Sequence, residues 1–137
     1  MSVQGREFRL RVPSGYDTGR PVGLVIGLHG YTSNPDELDS CFGLSAETER
    51  RGLLLALPEG TRNLQGHRFW NATEACCNFD HSTVDDSGYL SAVIADVRAH
   101  YAVDPGRVWV VGHSNGGYLA HRLACEHADQ IAGIASL

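Results

Sequence analysis

Residues 108–125 read VWVVGHSNGGYLAHRLAC, and this stretch decides the fold. Its first four residues are apolar and mostly β-branched, which predicts a buried strand. A G-x-S-x-G motif follows at residues 112–116, and Leu119, Ala120 and Leu123 then recur at helical spacing. A serine between glycines is often an ordinary polar turn, but a strand before it and a helix after it favour a nucleophile elbow at Ser114. The start of that helix would offer backbone N–H groups to an oxyanion.

Composition bounds the class of protein. A length of 137 residues predicts one domain with a substantial core. The net charge of −5 argues against a nucleic-acid partner, and no apolar run reaches the roughly 20 residues of a membrane span. The first twelve residues, MSVQGREFRLRV, lack the apolar core of a signal peptide, so we expect either an intracellular protein or a chain that begins after a removed leader.

The four cysteines are Cys41, Cys76, Cys77 and Cys125. They allow three complete pairings, and no C-x-x-C motif suggests a zinc ribbon. Because adjacent cysteines bond each other only with strain, we expect one or both of Cys76 and Cys77 to pair elsewhere, which would suit an oxidising compartment. The alternative is four reduced thiols.

Strands and helices alternate along the rest of the chain. Apolar patterns predict strands over residues 7–12, 22–28 and 53–57, and over the stretch that begins at Ile131 and ends at Leu137. Helices are predicted over residues 44–51 and 86–101; Asp85 or Asp86 would cap the second, and Asp104-Pro105-Gly106 would close it. Residues 58–84 show no periodicity and predict a long functional loop.

This alternation predicts an α/β fold, with a mostly parallel sheet and helices on both faces. Ligand-binding loops of such sheets lie at the carboxyl ends of the strands. His29-Gly30-Tyr31, Pro58-Glu59-Gly60 and Ser114 each follow a predicted strand, so all three are expected at one rim.

Four segments together resemble the polyhydroxybutyrate depolymerase and feruloyl esterase group of α/β-hydrolases. They are LHGYTSNPDEL, ALPEGT, VDDSGYLSAVIADVRAHYAVDPGRVWVVGHSNGGYLAHRLAC and IAGIASL. The resemblance implies an α/β-hydrolase fold and a serine esterase that forms an acyl-enzyme on Ser114. It also implies that the backbone N–H groups of Tyr31 and Asn115 form the oxyanion hole. Implied substrates are feruloyl or acetyl esters of polysaccharides, or polyhydroxyalkanoate oligomers, and the implied location is extracellular. A lipase-like or other acyl-transfer enzyme on the same fold is a further reading.

The expected triad is incomplete in this chain. In this fold the acid and then the histidine follow the serine in chain order, and both are expected beyond the last predicted strand. We therefore expect the 137 residues to be the N-terminal half of a hydrolase domain; the alternative is a binding remnant without the base. The strand between Ile131 and Leu137 would then expose an edge, across which we expect a dimer or a complementing chain.

The remaining candidates are aromatic and histidine side chains. We expect His29 to shape the oxyanion loop, and we expect both His29 and His113 to contact the substrate at the rim. Trp70, together with Phe69, is expected to line a subsite that binds an acyl or aromatic group of the substrate. A local base from His67 or His81, oriented by Asp85 or Asp86, is an alternative that abandons the chain order. His121 and Cys125, with His127 nearby, form only a weak metal pattern, so neither a metal nor a cofactor is predicted.

Overall fold

A computed structural model describes residues 1–137 and contains eight strands and four helices. The strands are β1 (Ser2–Val3), β2 (Arg6–Arg11), β3 (Val22–Leu28), β4 (Leu54–Pro58), β5 (Thr61–Arg62), β6 (Arg68–Phe69), β7 (Val103–Gly112) and β8 (Gly133–Ser136). The helices are α1 (Pro35–Phe42), α2 (Leu44–Arg51), α3 (Asp86–His100) and α4 (Asn115–Glu126).

Six strands form one twisted sheet in the order β1-β2-β4-β3-β7-β8. β3 pairs in parallel with β4 and β7, and β7 with β8, whereas β1 and β2 add an antiparallel end. β5 and β6 form a separate small hairpin. The prediction of a mostly parallel sheet is therefore confirmed.

The two faces of the sheet are covered by different helix pairs. Alternate residues of β3 and β4 point to opposite faces, as the pleat requires. Leu24 and Ile26 belong to the larger buried cluster, which also includes the apolar faces of α3 and α4. Val25 and Leu55 belong to a smaller cluster with α1 and α2. Because the central strands are covered on both sides, their sequences are almost continuously apolar.

Several predicted boundaries are confirmed, one is wrong, and one helix was not predicted. The strand over 22–28 and the helix over 44–51 match β3 and α2, and the Asp85 carboxylate caps α3 by accepting the Gly88 N–H at 2.9 Å. Asp104-Pro105-Gly106 does not close α3, because β7 already begins at Val103, where it pairs with Val22 of β3. Helix α1 was not predicted; the Asn34 side chain caps it, and Pro35 occupies its first turn.

The prediction that Cys76 and Cys77 pair elsewhere is wrong, because the two residues form a disulfide with each other. The prediction rested on the strain expected in a bond between adjacent cysteines. Here residues 73–77 form a tight turn, in which Thr73 makes bridges to both cysteines. Cys41 and Cys125 are free and exposed.

β8 lies at one end of the sheet and pairs only with β7. Its outer edge faces no other strand of residues 1–137, and a partner across that edge stays a prediction. None of the four helices is long and apolar enough to cross a bilayer.

Candidate active site

Ser114 lies in a sharp turn between β7 and α4. β7 ends at Gly112 and α4 begins at Asn115, so residues 112–116, hereafter the Ser114 turn, reverse the chain within a few residues. Ser114 has φ 52° and ψ −114°, a backbone conformation that is strained for a residue with a side chain. Its side chain is exposed and its hydroxyl makes no hydrogen bond within the chain. The turn thus presents an unengaged hydroxyl at the carboxyl end of a central strand.

The close approach of strand and helix requires glycine at two positions. A Cβ atom on Gly112 would lie 2.2 Å from the carbonyl oxygen of Gly116. A Cβ on Gly116 would lie 2.2 Å from the carbonyl oxygen of Leu28. Both obstructing atoms belong to the backbone and cannot rotate away, so any side chain at either position would push β3, β7 and α4 apart.

Neighbouring strands fix the backbone of the Ser114 turn. The Ser114 N–H donates to the carbonyl of Leu137, just beyond β8, at 2.7 Å. The His113 N–H donates to the carbonyl of Leu28 at the end of β3, at 3.0 Å. The conformation of Ser114 is therefore held from both sides by the sheet, which explains how a strained turn persists.

Two backbone N–H groups near Ser114 have no acceptor within the local structure. Tyr31 lies outside the helices and strands, and its N–H makes no hydrogen bond in the chain. Asn115 is the first residue of α4, so its N–H has no acceptor inside the helix. A Cβ on Gly30 would lie 3.6 Å from the Ser114 Cβ, which places the segment 29–31 directly against the Ser114 turn. Such free donors beside a nucleophile can bind a developing oxyanion.

His29 is buried, and both of its ring nitrogens are occupied. Nε2 accepts the N–H of Gly60 at 3.0 Å, so this nitrogen is unprotonated, because an amide nitrogen can only donate. Nδ1 therefore bears the proton and donates to the Gly30 carbonyl at 2.8 Å. Burial lowers the pKa of His29, so its imidazole favours the neutral form. Neither nitrogen is free to accept a proton from Ser114.

Residues 7–136 match the family model described as esterase PHB depolymerase. The chain belongs to the esterase PHB depolymerase family. Esterase NocK of Nocardia uniformis subsp. tsuyamanensis is 34% identical over 135 residues, which cover 96% of this chain and 37% of NocK. Feruloyl esterase C of Emericella nidulans is 26% identical over 98% of this chain and 47% of its own length. The chain thus spans less than half the length of these esterases.

Solved structures show the same fold. The acetyl xylan esterase from Aspergillus awamori superposes with a TM-score of 0.76 at 17% identity, over 93% of this chain and 44% of that one. The Bacillus cereus carboxylesterase superposes with a TM-score of 0.70 at 20% identity, over 97% of this chain and 59% of that one. The fold of this esterase-family chain is therefore that of the α/β-hydrolases, as the sequence predicts.

Trp70 and Phe69 do not line an open subsite in this esterase-family chain. Trp70 has no exposed surface, and Phe69 is 1% exposed. The predicted contact of Trp70 with substrate is corrected for this reason: its ring packs beside the His29 ring, with centroids 5.1 Å apart, and its indole N–H is already bonded. His29, also without exposed surface, is excluded from direct contact in the same way. His113 is exposed, and its ring lies tilted against the Phe42 ring, with centroids 5.7 Å apart; its contact with a ligand stays a prediction.

The structure gives no support to a local base. His67 contacts Tyr31, with 3.4 Å between its Nδ1 and the phenol oxygen, and none of the seven histidines bonds to the Ser114 hydroxyl. Asp86 is buried and pairs with Arg6 at 2.7 Å, while Asp85 caps α3. Neither aspartate bonds to His67 or His81, so the four predicted residues do not form a relay.

The weak metal pattern on α4 is likewise not assembled. His127 Nε2 lies 3.1 Å from the Ser87 hydroxyl, and the chain holds no group of three or more side chains that could bind a metal ion.

Sequence reasoning missed the side chain of Asn115. It is fully buried and bonds both to the N–H and to the carbonyl of Trp70. Its position directly after the serine suggested only a backbone role. Its partner lies 45 residues away, and no local pattern reports such a contact.

Proposed function

We propose that the protein is a serine hydrolase of carboxylic esters and that Ser114 is its nucleophile. The exposed hydroxyl of Ser114, held in a strained turn beside two N–H groups without acceptors, is the observation that supports this most strongly. The turn then acts as a nucleophile elbow, in which the strain keeps the hydroxyl above the sheet. Membership in an esterase family supports the same reaction class.

The reaction follows from this arrangement. Ser114 Oγ attacks the ester carbonyl carbon, and negative charge moves to the carbonyl oxygen. The N–H groups of Tyr31 and Asn115 bind that oxygen; a single such donor contributes about 3 kcal/mol to the transition state in a comparable enzyme. The general base takes the Ser114 proton and passes it to the leaving oxygen, so collapse breaks the ester C–O bond, expels the alcohol and leaves an acyl-enzyme on Ser114. Water, deprotonated by the same base, then attacks the acyl carbon and releases the acid and the Ser114 hydroxyl.

A general base is required to activate the hydroxyl, since a neutral serine is a weak nucleophile. None of the histidines in residues 1–137 bonds to Ser114, and the esterase relatives are more than twice as long. We therefore place the triad acid and base in a part of the protein outside residues 1–137.

For the substrate, we propose feruloyl or acetyl esters of polysaccharides, or polyhydroxyalkanoate oligomers. The family description and the names of feruloyl esterase C and the acetyl xylan esterase support this class. An exposed ring beside Tyr31 agrees with a ligand that has apolar or aromatic parts: Phe79 is 64% exposed and packs edge-on against the half-buried Tyr31 ring, with centroids 5.5 Å apart.

The test is Ser114→Ala in the full-length protein, with p-nitrophenyl acetate as substrate. We expect turnover and labelling by a fluorophosphonate probe to be lost while the unfolding curve is unchanged. Ser2→Ala is the matched control, because Ser2 is an exposed serine in β1 at the opposite end of the sheet. Full activity in the Ser114 variant would overturn the assignment.

A second candidate is a binding remnant that retains the turn without an active base. The Ser114 hydroxyl makes no hydrogen bond to a base within the chain, which is the arrangement that such a remnant would have. A folded full-length protein that neither hydrolyses esters nor reacts with the probe would support this function over the first.

A further inference from the structure

The two proposed oxyanion donors are connected through buried side chains. The Asn115 side chain has no exposed surface, and its amide bonds to both backbone groups of a single residue in the loop 58–84: Oδ1 accepts the Trp70 N–H at 2.7 Å, and Nδ2 donates to the Trp70 carbonyl at 3.0 Å. The orientation of this amide is unambiguous, because a flipped amide would set donor against donor and acceptor against acceptor. The residue that supplies one donor therefore also fixes Trp70.

Trp70 extends the connection to the second donor. Its indole N–H donates to the carbonyl of His29 at 2.9 Å. The His29 ring in turn donates from Nδ1 to the Gly30 carbonyl. That carbonyl belongs to the same planar peptide unit as the N–H of Tyr31, so holding the oxygen sets the direction in which the N–H points. The Ser33 N–H, at 3.2 Å, is a second donor to the same oxygen.

We propose that the Asn115 side chain, acting through Trp70 and His29, is a positioning group that holds the two oxyanion donors in a fixed relative orientation. This inference rests on the proposed function. A donor misplaced by about 1 Å loses most of its effect on the transition state, and effects of that size reach about 100-fold in rate. The network does not touch the substrate; its value lies in a rigid geometry before the substrate arrives.

Two substitutions in the full-length protein interrupt the network at different points. Asn115→Asp keeps the size and the acceptor but replaces the donor to the Trp70 carbonyl with a repelling oxygen. Trp70→Phe keeps a ring in the core but removes the N–H that reaches His29. Both leave every backbone donor in the chain. We expect each to lower kcat for p-nitrophenyl acetate by about 10- to 100-fold with KM within about twofold, because oxyanion binding acts only in the transition state.

The kcat of the double variant distinguishes loss of this network from a general loss of stability. Because both substitutions cut one path, the double variant should have a kcat within about threefold of the slower single variant. If the two single-variant losses of kcat instead multiply in the double variant, the proposal is overturned. The affinity of a trifluoromethyl ketone, whose adduct has an oxyanion, should fall in parallel with kcat.

The matched control is Asn71→Ala in the same loop. The Asn71 side chain also bridges the loop, since it donates to the Val84 carbonyl at 2.8 Å, but it has no bond to the network. We expect it to lower the unfolding midpoint and to leave kcat unchanged. If Asn71→Ala loses as much kcat as the two network variants, the losses reflect a general loosening of the loop, and the proposal is overturned.

Two results separate this inference from the proposed function. If Asn115→Asp does not fold, Trp70→Phe alone decides, and a folded Trp70→Phe protein with wild-type kcat overturns the inference. If Ser114→Ala retains activity, the proposed function itself has failed.

Discussion

The substitution Gly112→Ala tests the close contact between β7 and α4. The added Cβ would lie 2.2, 2.5 and 2.7 Å from backbone atoms of Gly116 and Gly117, whereas ordinary contact begins at 3.4 Å. The worst overlap is therefore 3.4 − 2.2 = 1.2 Å. Since no side chain can rotate to relieve it, the start of α4 must move by about that distance. We expect a loss of about 3 kcal/mol in the free energy of unfolding, at the upper end of the range for overpacked cores.

The same displacement predicts a loss of activity. A shift of about 1 Å at the start of α4 moves the Asn115 N–H relative to the ester oxygen, so we expect kcat/KM to fall by about 100-fold. Urea unfolding followed by tryptophan fluorescence measures the first effect, and p-nitrophenyl acetate turnover measures the second.

Gly133→Ala in β8 is the matched control for Gly112→Ala. There the nearest atom, Trp109 Cδ1, lies 3.5 Å from the added Cβ, which is ordinary contact. We expect its unfolding free energy to stay within about 1 kcal/mol of the wild type, with a small gain from the stiffer unfolded chain. A Gly112→Ala protein with the stability and activity of the control would refute the steric reasoning.

Three further predictions concern single groups. Asp85→Ala should lower the unfolding free energy by about 1 kcal/mol in urea titrations, because the cap on α3 is lost; no change would mean that the Gly88 N–H finds another acceptor. His29 should be mainly neutral at pH 6.5 in ring ¹⁵N spectra, since burial lowers its pKa; stability should then fall as pH drops below 6.5, where the unfolded state binds the proton, and a mostly charged ring would contradict this. Tyr89 should ionise near pH 12 in an absorbance titration, because burial raises its pKa to about 12; Tyr89→Phe should remove that step, and an unchanged curve near pH 12 would contradict this.

Local patterns predicted the elements whose signals lie within one turn or strand. β3 is a run of apolar residues, and α2 ends at Gly52, which adopts the left-handed conformation that the helix end requires. Helix α1 was missed because its eight residues contain few apolar positions, although Asn34 and Pro35 form a readable start signal. The start of β7 was misread because proline and glycine usually end elements, and here long-range pairing with β3 overrides that preference.

In the candidate site, too, local signals were predictable and long-range contacts were not. The position of Ser114 follows from its immediate neighbours, so the motif was sufficient to place it. The burial of Trp70 and the clamp made by Asn115 depend on contacts between residues far apart in sequence, and nothing in either local stretch reports them. The vicinal pairing of Cys76 with Cys77 depends on a turn that has no periodic signature.

The hydrogen bond from the Ser114 amide to Leu137 has a consequence for biosynthesis. The acceptor is added 137 − 114 = 23 residues after the serine, so a growing chain that ends between these two residues cannot yet form this hydrogen bond. Only when β8 docks alongside β7 does the amide gain its acceptor. The Ser114 turn thus gains its last backbone contact from the sheet only at a late step of sheet assembly.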